Sequence, residues 1–287
     1  MNTYGPPVGN AIRAALLTGE AEDKVFAARK VARDWRLGRF AFAFSEPMPE
    51  RPAWPAALAC LPPGRMPRRG KAGSERGRLA LWHALAHIEF VAIDLALDMA
   101  GRFGAARGER FVSDFLAVAA DEAMHFALLA RKLASLGSHY GALPVHDGLW
   151  QAAAQTAHDV AARLAIVPMV LEARALDVTP ATRDRVAAAG DAGGVRILQR
   201  ILDDEIRHVA IGVKHFGEVS AERDQSPIEL WQDLVRKHFS AGLRPPFNDS
   251  AREAAGLSRP YYGGVASLTF SALPTNSSSG EGFPADR

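Results

Sequence analysis

The sequence contains a single cysteine, Cys60, which excludes an intrachain disulfide and a zinc site built from cysteines. Neither charge is in excess, because 34 Lys and Arg residues stand against 32 Asp and Glu residues, so net charge indicates no particular class of partner. No uninterrupted apolar run reaches the roughly 18 residues of a membrane span. The N-terminus also lacks a basic start followed by an apolar stretch, and we expect a cytoplasmic protein with no membrane partner.

No stretch alternates apolar and polar residues as a half-buried β-strand does, which predicts an all-α protein. Residues 8–34 have helical spacing, and seven prolines between Pro47 and Pro67 then predict an extended strap. We expect the sequence GRFG at 101–104 to end one bundle helix and DVTP at 177–180 to end another. The helices that we predict after the strap lie near 75–100, 108–136, 147–176, 192–216 and 227–240.

These patterns divide the chain into four parts. We expect an N-terminal helix and strap over 1–73, a helical bundle over 74–217, a helical extension over 218–263, and a tail of disordered composition over 264–287. A basic cluster follows the strap, and we interpret it as the solvated approach to a helix rather than as an anion site. Its members are Arg65, Arg68, Arg69, Lys71, Arg76 and Arg78.

One pentad, acid-acid-x-x-His, occurs twice in the predicted bundle. DEAMH begins at Asp121 and DEIRH begins at Asp204, and an offset of 83 residues also superimposes EFVAID on EARALD. Within each half, 33 residues separate the lone glutamate from the glutamate of the pentad. Each half therefore indicates a helical hairpin with one Glu on its first helix and Glu-x-x-His on its second.

Helical geometry places the four glutamates on or beside apolar faces, where an isolated ionised carboxylate is very costly. Two divalent cations would compensate four carboxylates, and two imidazoles would add neutral nitrogen ligands. One Glu and one Glu-x-x-His per hairpin is the pattern of di-metal carboxylate sites in four-helix bundles, and these donors suit iron or manganese. The alternative is that the four glutamates lie at the surface and that the offset is accidental.

Several segments resemble the DUF455 family of ferritin-like proteins over about residues 5–262. They are GRLALWHALAHIEFVAIDLALD, FVSDFLAVAADEAMHF, VLEARALDVTP, ILDDEIRHVAIGVKHF and RPPFNDSAREAAGL. The second pentad is also similar to the signature of bacterial multicomponent di-iron monooxygenases, whereas Met124 replaces the arginine in the first. The resemblance implies a ferritin-like four-helix bundle with the N-terminal helix, the strap and the C-terminal extension added to it.

The resemblance implies specific roles for the repeated residues. Asp121 and Asp204 would hydrogen-bond the histidine rings, although spacing alone leaves Asp204 open as a ligand. We expect Glu122 and Glu205 also to act in catalysis. The implied ligands of two iron ions, or of manganese or a mixed pair, are Glu89, Glu122, His125, Glu172, Glu205 and His208.

Other polar residues near the repeat have structural interpretations. We expect the repeated Asp94 and Asp177 to make hydrogen bonds at helix ends or between helices. His83 and His87 could bind a metal as an i, i+4 pair, but we favour a polar contact with the strap. Pro168 lies four residues before Glu172 and should loosen the third bundle helix there, because it removes one backbone hydrogen bond.

The leading functional hypothesis is a di-iron enzyme that uses O₂ to hydroxylate or oxidise an unidentified substrate. Electrons would come from an external donor, since the sequence has no Gly-x-Gly-x-x-Gly motif and no cysteine cluster. One alternative is iron oxidation, storage or sensing without an organic substrate. Another is a tRNA-modifying di-iron hydroxylase, although the leading hypothesis includes no nucleic-acid partner. We expect a monomer or homodimer.

Overall fold

The structure, a computed structural model, describes residues 5–66 and 74–265. Over these ranges it is helical and contains no β-strand, which confirms the all-α prediction. Two isolated bridges, Pro7 to Ala41 and Cys60 to Val145, are the only β-type pairings in the described ranges. The helices are α1 (Val8–Leu16), α2 (Ala21–Arg36), α3 (Glu75–Arg107), α4 (Glu109–Ser135), α5 (Gly148–Ala154), α6 (Val160–Ile166), α7 (Ala173–Ala188), α8 (Ala192–Glu222), α9 (Pro227–His238), α10 (Asp249–Ala254) and α11 (Arg259–Gly263).

Four long helical elements form the centre of the protein. Helix α3 packs along α4, α7 packs along α8, and α4 also contacts α8. Polar side chains begin four of the helices by accepting a backbone N–H: Ser74 caps α3, Asp159 caps α6, Asp191 caps α8 and Asn248 caps α10. Helices α1 and α2 cover the first pair, whereas α9 packs on α6 and α10 packs on α7 and α8.

The first bundle helix is longer than we predicted. It continues through GRFG to Arg107, and Gly108 ends it with a φ of 88°. Gly101 and Gly104 lie inside α3, at positions where neighbouring groups approach the helix closely. A Cβ on Gly101 would lie 2.4 Å from Met48 Sδ, and one on Gly104 would lie 2.6 Å from Val112 Cγ2. These glycines therefore allow close packing and do not end the helix.

The third bundle element is segmented. Helix α5 is short, α6 begins only at Val160, and a π-helical turn spans Val167–Glu172 before α7. The prediction that Pro168 loosens this element is confirmed. The prediction that DVTP ends it is wrong, since α7 continues through Pro180 to Ala188. Buried Leu176 and Val186 on either side of Pro180 keep α7 packed despite one missing backbone hydrogen bond.

The N-terminal and C-terminal segments are joined to the bundle by buried charges. Lys24 of α2 lies 2.5 Å from Asp94, which also accepts a hydrogen bond from the Trp54 indole in the strap at 2.9 Å. In the second half, Arg252 of α10 donates two hydrogen bonds to Asp177, at 2.8 and 2.7 Å. The two repeated aspartates thus hold the added segments in place, in agreement with their predicted structural role.

Helix α3 is long and apolar enough to cross a membrane by length and composition alone. Of the most apolar 18-residue segment of this helix, 67% is buried inside the protein. The helix also carries Glu89, Asp94 and Asp98, which are all buried. A central helix of a globular core has these properties. Helix α8 extends past its predicted end to Glu222, and most of the predicted tail lies outside the described residues.

Candidate metal centre

The predicted ligands come from four helical elements that meet in the core. Glu89 lies on α3, Glu122 and His125 lie on α4, Glu172 ends the π-helical turn, and Glu205 and His208 lie on α8. All are buried except Glu172, which keeps partial exposure. The helical periods that place their neighbours in the core also turn these side chains inward.

His125 lies between two glutamates. Its Nδ1 is 3.2 Å from Glu89 Oε2 and 3.2 Å from Glu122 Oε2. One potential ligand atom from each of Glu89, Glu122, His125 and Glu205 lies within 4.8 Å of the others. Carboxylate and imidazole donors at this spacing could hold a divalent cation.

His208 meets the same cluster from another helix. Its Nδ1 is 3.0 Å from Glu122 Oε1 and 3.8 Å from Glu205 Oε2. The two carboxylate oxygens of Glu122 therefore face different histidines, whose ring centroids are 5.9 Å apart. Glu122 is the central acidic group of the site.

Each histidine ring is held by the aspartate of the other pentad. His125 Nε2 lies 3.0 Å from Asp204, and His208 Nε2 lies 3.3 Å from Asp121. When Nε2–H donates to these carboxylates, the lone pair of each Nδ1 is directed toward the glutamates. Arg207 donates to both aspartates, so the two supports are linked at the surface of the bundle.

Glu172 is joined to the cluster by charge and not by a hydrogen bond within the described residues. Burial raises its pKa well above the usual range, and the nearby charges of Glu205 and Glu122 raise it further. The pKa of Glu205 is raised by the same causes, burial first and then Glu122. Glu172 therefore lies close enough to Glu205 and Glu122, the two glutamates beside His208, for their charges to act on it.

The pKa values of His125 and Glu89 are raised, whereas the pKa of Glu122 is lowered. Burial raises the pKa of Glu89 well above its usual range, with the Glu122 charge adding to it. Burial alone would lower the pKa of His125, but its contacts with Glu122 and Glu89 outweigh burial and raise it to about 11. The histidines in turn outweigh burial at Glu122 and lower its pKa. The carboxylates therefore favour a protonated His125 ring, whose charge balances part of the buried negative charge.

Three buried atoms in the cluster make no hydrogen bond of good geometry with the described residues, although Glu122 Oε1 and His208 Nδ1 lie 3.0 Å apart. They are Glu122 Oε1, Glu205 Oε2 and His208 Nδ1. Buried polar atoms without partners are costly in a folded protein. All three have the donor chemistry of a carboxylate–imidazole metal site, so the residues present fit a bound divalent cation.

Sequence reasoning missed some supporting residues and misplaced one contact. Arg200 and Arg207 bind Asp204, and their positions one turn before and after it could have indicated this. His83 accepts hydrogen bonds from the backbone of Gly141 and Leu143, so its predicted polar contact with the strap is wrong. The loop that follows α4 fits against α3 at this point.

His87 also makes its polar contacts with this loop, to the Tyr140 hydroxyl at 2.9 Å and the His146 carbonyl at 2.8 Å. Within the described part of the strap, its ring contact with Trp54 is the only one. Within the predicted basic cluster, Arg68, Arg69 and Lys71 lie outside the described residues.

Comparison with known proteins gives one family. An uncharacterized protein of Haemophilus influenzae (strain Rd) is 40% identical over 213 residues, which cover 72% of this chain and 74% of that protein. No solved structure matches the chain. The model of a family described as "Protein of unknown function (DUF455)" matches residues 17–263. A match over so much of the chain shows that the protein belongs to the DUF455 family.

Proposed function

We propose that the protein is a ferritin-like four-helix bundle that holds two iron ions and uses O₂ to hydroxylate or oxidise an organic substrate. The observation that carries the proposal is the position of Glu122. Its two oxygens face the Nδ1 atoms of His125 and His208, whose Nε2 atoms lie beside aspartates. A structural ion-pair network would not need two imidazoles with their inner nitrogens directed at one carboxylate.

The metal pair would be held by the glutamates and histidines of both hairpins. They are Glu89, Glu122, His125, Glu172, Glu205 and His208. Bound iron would supply the electrons that reduce O₂, and manganese or a mixed pair would fit the same donors. Asp121 and Asp204 would keep the imidazole tautomers fixed, and the buried apolar residues around the cluster would exclude water.

The added segments support an enzyme in preference to an iron-storage protein. Iron storage needs assembly of many subunits through the outer faces of the bundle. Here the strap and α2 cover α3 through Asp94, and α10 covers α7 through Asp177. These outer faces are therefore already occupied within one chain, which favours a monomer or homodimer.

Metal content tests the proposal directly. Protein purified without chelators and offered ferrous or manganous salt anaerobically should contain about two ions per chain, the number in di-metal carboxylate bundles. Glu122→Ala and Glu205→Ala should each lose more than half of this metal. Glu229→Ala, on the exposed side of α9, is the matched control and should keep it.

A second variant separates loss of metal from loss of fold. Replacing Glu89, Glu122, Glu172 and Glu205 together by Gln removes the charges and keeps the side-chain volumes. Buried amides cost less than buried carboxylates, so this variant should fold and bind no metal. A full complement of metal in the quadruple variant would show that the ions bind elsewhere and would refute the proposed site.

A further inference from the structure

A cleft of about 1160 Å³ lies between α2 and α4, on the outside of the bundle. Five basic side chains line it, against only two acidic ones, Glu109 and Asp121. The basic residues are Arg29, Lys30, Arg33, Arg36 and Arg207. The protein as a whole has a formal net charge of only +2, so this cleft is a local concentration of positive charge.

Two of these cations have no partner within residues 5–66 and 74–265. Lys30 and Arg33 lie against Asp34, and Arg207 binds Asp121 and Asp204. Arg29 and Arg36, by contrast, make no hydrogen bond or ion pair with any residue that the structure describes. They are seven residues apart on α2, so both guanidinium groups project from the same face of the helix.

Aromatic rings share the cleft with the charges. Phe26 is 68% exposed, which is unusual for so large an apolar side chain, and it lies on the lining together with Trp35 and Phe40. The Trp35 indole is fixed by a hydrogen bond to Ser113 Oγ at 2.8 Å. Rings beside unpaired guanidinium groups suit a ligand that has both a planar apolar part and an anionic part.

The opposite wall leaves room for such a ligand. Helix α4 contributes the small residues Ser113, Ala117 and Ala120 to the lining, together with Glu109 and Leu116. The last α4 residue of this wall is Asp121, whose carboxylate accepts from Arg207 and from His208 Nε2. One end of the cleft is therefore separated from the candidate metal ligand His208 by a single side chain.

We propose that this cleft binds a phosphate monoester that carries an aromatic ring, of the nucleotide type. The phosphate would bind Arg29 and Arg36, whose planar donors match its oxygens, and the ring would pack against Phe26, which lies one turn before Arg29 on α2. That the bound molecule is the substrate rests on the proposed metal chemistry. Binding of the molecule in the cleft does not depend on that chemistry.

Calorimetric titration of the full-length protein with adenosine 5′-monophosphate, adenosine and inorganic phosphate tests the inference. The monophosphate should bind more tightly than either of its parts. Arg29→Ala with Arg36→Ala should weaken it by at least about tenfold, since charge-assisted hydrogen bonds to phosphate are lost. The control with the same charge change is Arg110→Ala with Lys237→Ala, two exposed residues outside the cleft, and it should bind within about twofold of the wild type.

Equal affinity for adenosine and its monophosphate would overturn the inference, and so would equal affinity of the two double variants or no binding of the monophosphate. Metal content measured on the same samples separates this result from the proposed function. Binding of the monophosphate by protein that takes up no metal would refute the metal chemistry and leave the anion site standing. Metal uptake without monophosphate binding would refute only the anion site.

Discussion

Asp204 on α8 accepts a hydrogen bond from Nε2 of His125 on α4, at 3.0 Å. The two residues belong to different pentads, and the relationship recurs in reverse between Asp121 and His208. Asp204 is itself held by Arg200 and Arg207, and these contacts, with His125, outweigh burial and lower its pKa. The carboxylate therefore stays ionised and keeps the His125 ring in one orientation.

Replacing Asp204 by Asn should weaken metal binding without removing a proposed ligand. A neutral amide holds the imidazole less firmly, and loss of such an orienting group typically lowers metal affinity by about 10- to 100-fold. Asp203→Asn, the exposed neighbour on the same helix, should leave the affinity unchanged. Competition with a chelator measures both, and equal affinities in the two variants would contradict the orienting role.

Replacing Gly212 by Ala should damage the π-helical turn. The new Cβ would lie 2.4 Å from Pro168 Cβ, which is closer than two carbons can approach. We expect a loss of roughly 1–3 kcal/mol in the free energy of unfolding, as for other overpacked sites, and reduced metal content because Glu172 ends the turn. Denaturant unfolding and elemental analysis measure the two effects.

Gly217 provides the control for this prediction on the same helix. A Cβ there would meet nothing within 4 Å, so Gly217→Ala should stabilise α8 by about 0.5–1 kcal/mol. If both alanine variants had the same stability, contact between α8 and Pro168 would not be the constraint that we infer.

Replacing Asp177 by Asn should loosen the C-terminal segment. Arg252 is buried and would lose its charged partner, and breaking a buried pair in this way typically costs about 3–5 kcal/mol. Limited proteolysis should then cut near α10 at lower protease concentration. Asp184→Asn changes an exposed residue of the same helix and should have no such effect, so equal proteolysis of the two variants would speak against the anchor.

His87 should make the free energy of unfolding depend on pH. Burial lowers its pKa from 6.5 to about 4, so between these values the unfolded chain binds a proton that the folded protein excludes. The contribution is complete above about pH 6.5 and falls by up to roughly 3 kcal/mol as the pH decreases to about 4. His87→Gln should reduce this slope and leave the part that His83 contributes, since burial lowers the pKa of His83 to about 4 as well, and urea unfolding at several pH values measures the difference from the wild type. Parallel curves would show that His87 does not titrate in this way.

The sequence repeat predicted much of the bundle and its inward-facing glutamates. The offset of 83 residues paired Glu89 with Glu172 and Glu122 with Glu205. The helical period placed each of them beside apolar neighbours, because residues three and four apart share a helix face. It could not reveal that each aspartate supports the histidine of the other pentad. That pairing depends on how α4 lies against α8, and helix periodicity holds no information on contacts between helices.

Glycine and proline positions were the weakest part of the sequence-based prediction. Gly101, Gly104 and Pro180 all indicate helix ends by local preference, yet all three lie inside helices. At the two glycines the deciding factor is close approach of Met48, Ile12, Phe44 and Val112, residues distant in the sequence or on the next helix. Tertiary packing overrides local propensity there, and a single sequence does not show it.

The buried pair of Lys24 and Asp94 sets a limit on how far the protein can be shortened. A chain trimmed to 74–222 would retain every proposed ligand, yet it would lose the ammonium group that neutralises an acid five residues from Glu89. It would also lose Arg252, which serves Asp177 in the same way five residues from Glu172. The outer segments thus supply the cations that pair with these two buried acids, and we expect the ligand-bearing helices alone to be less stable than the whole chain.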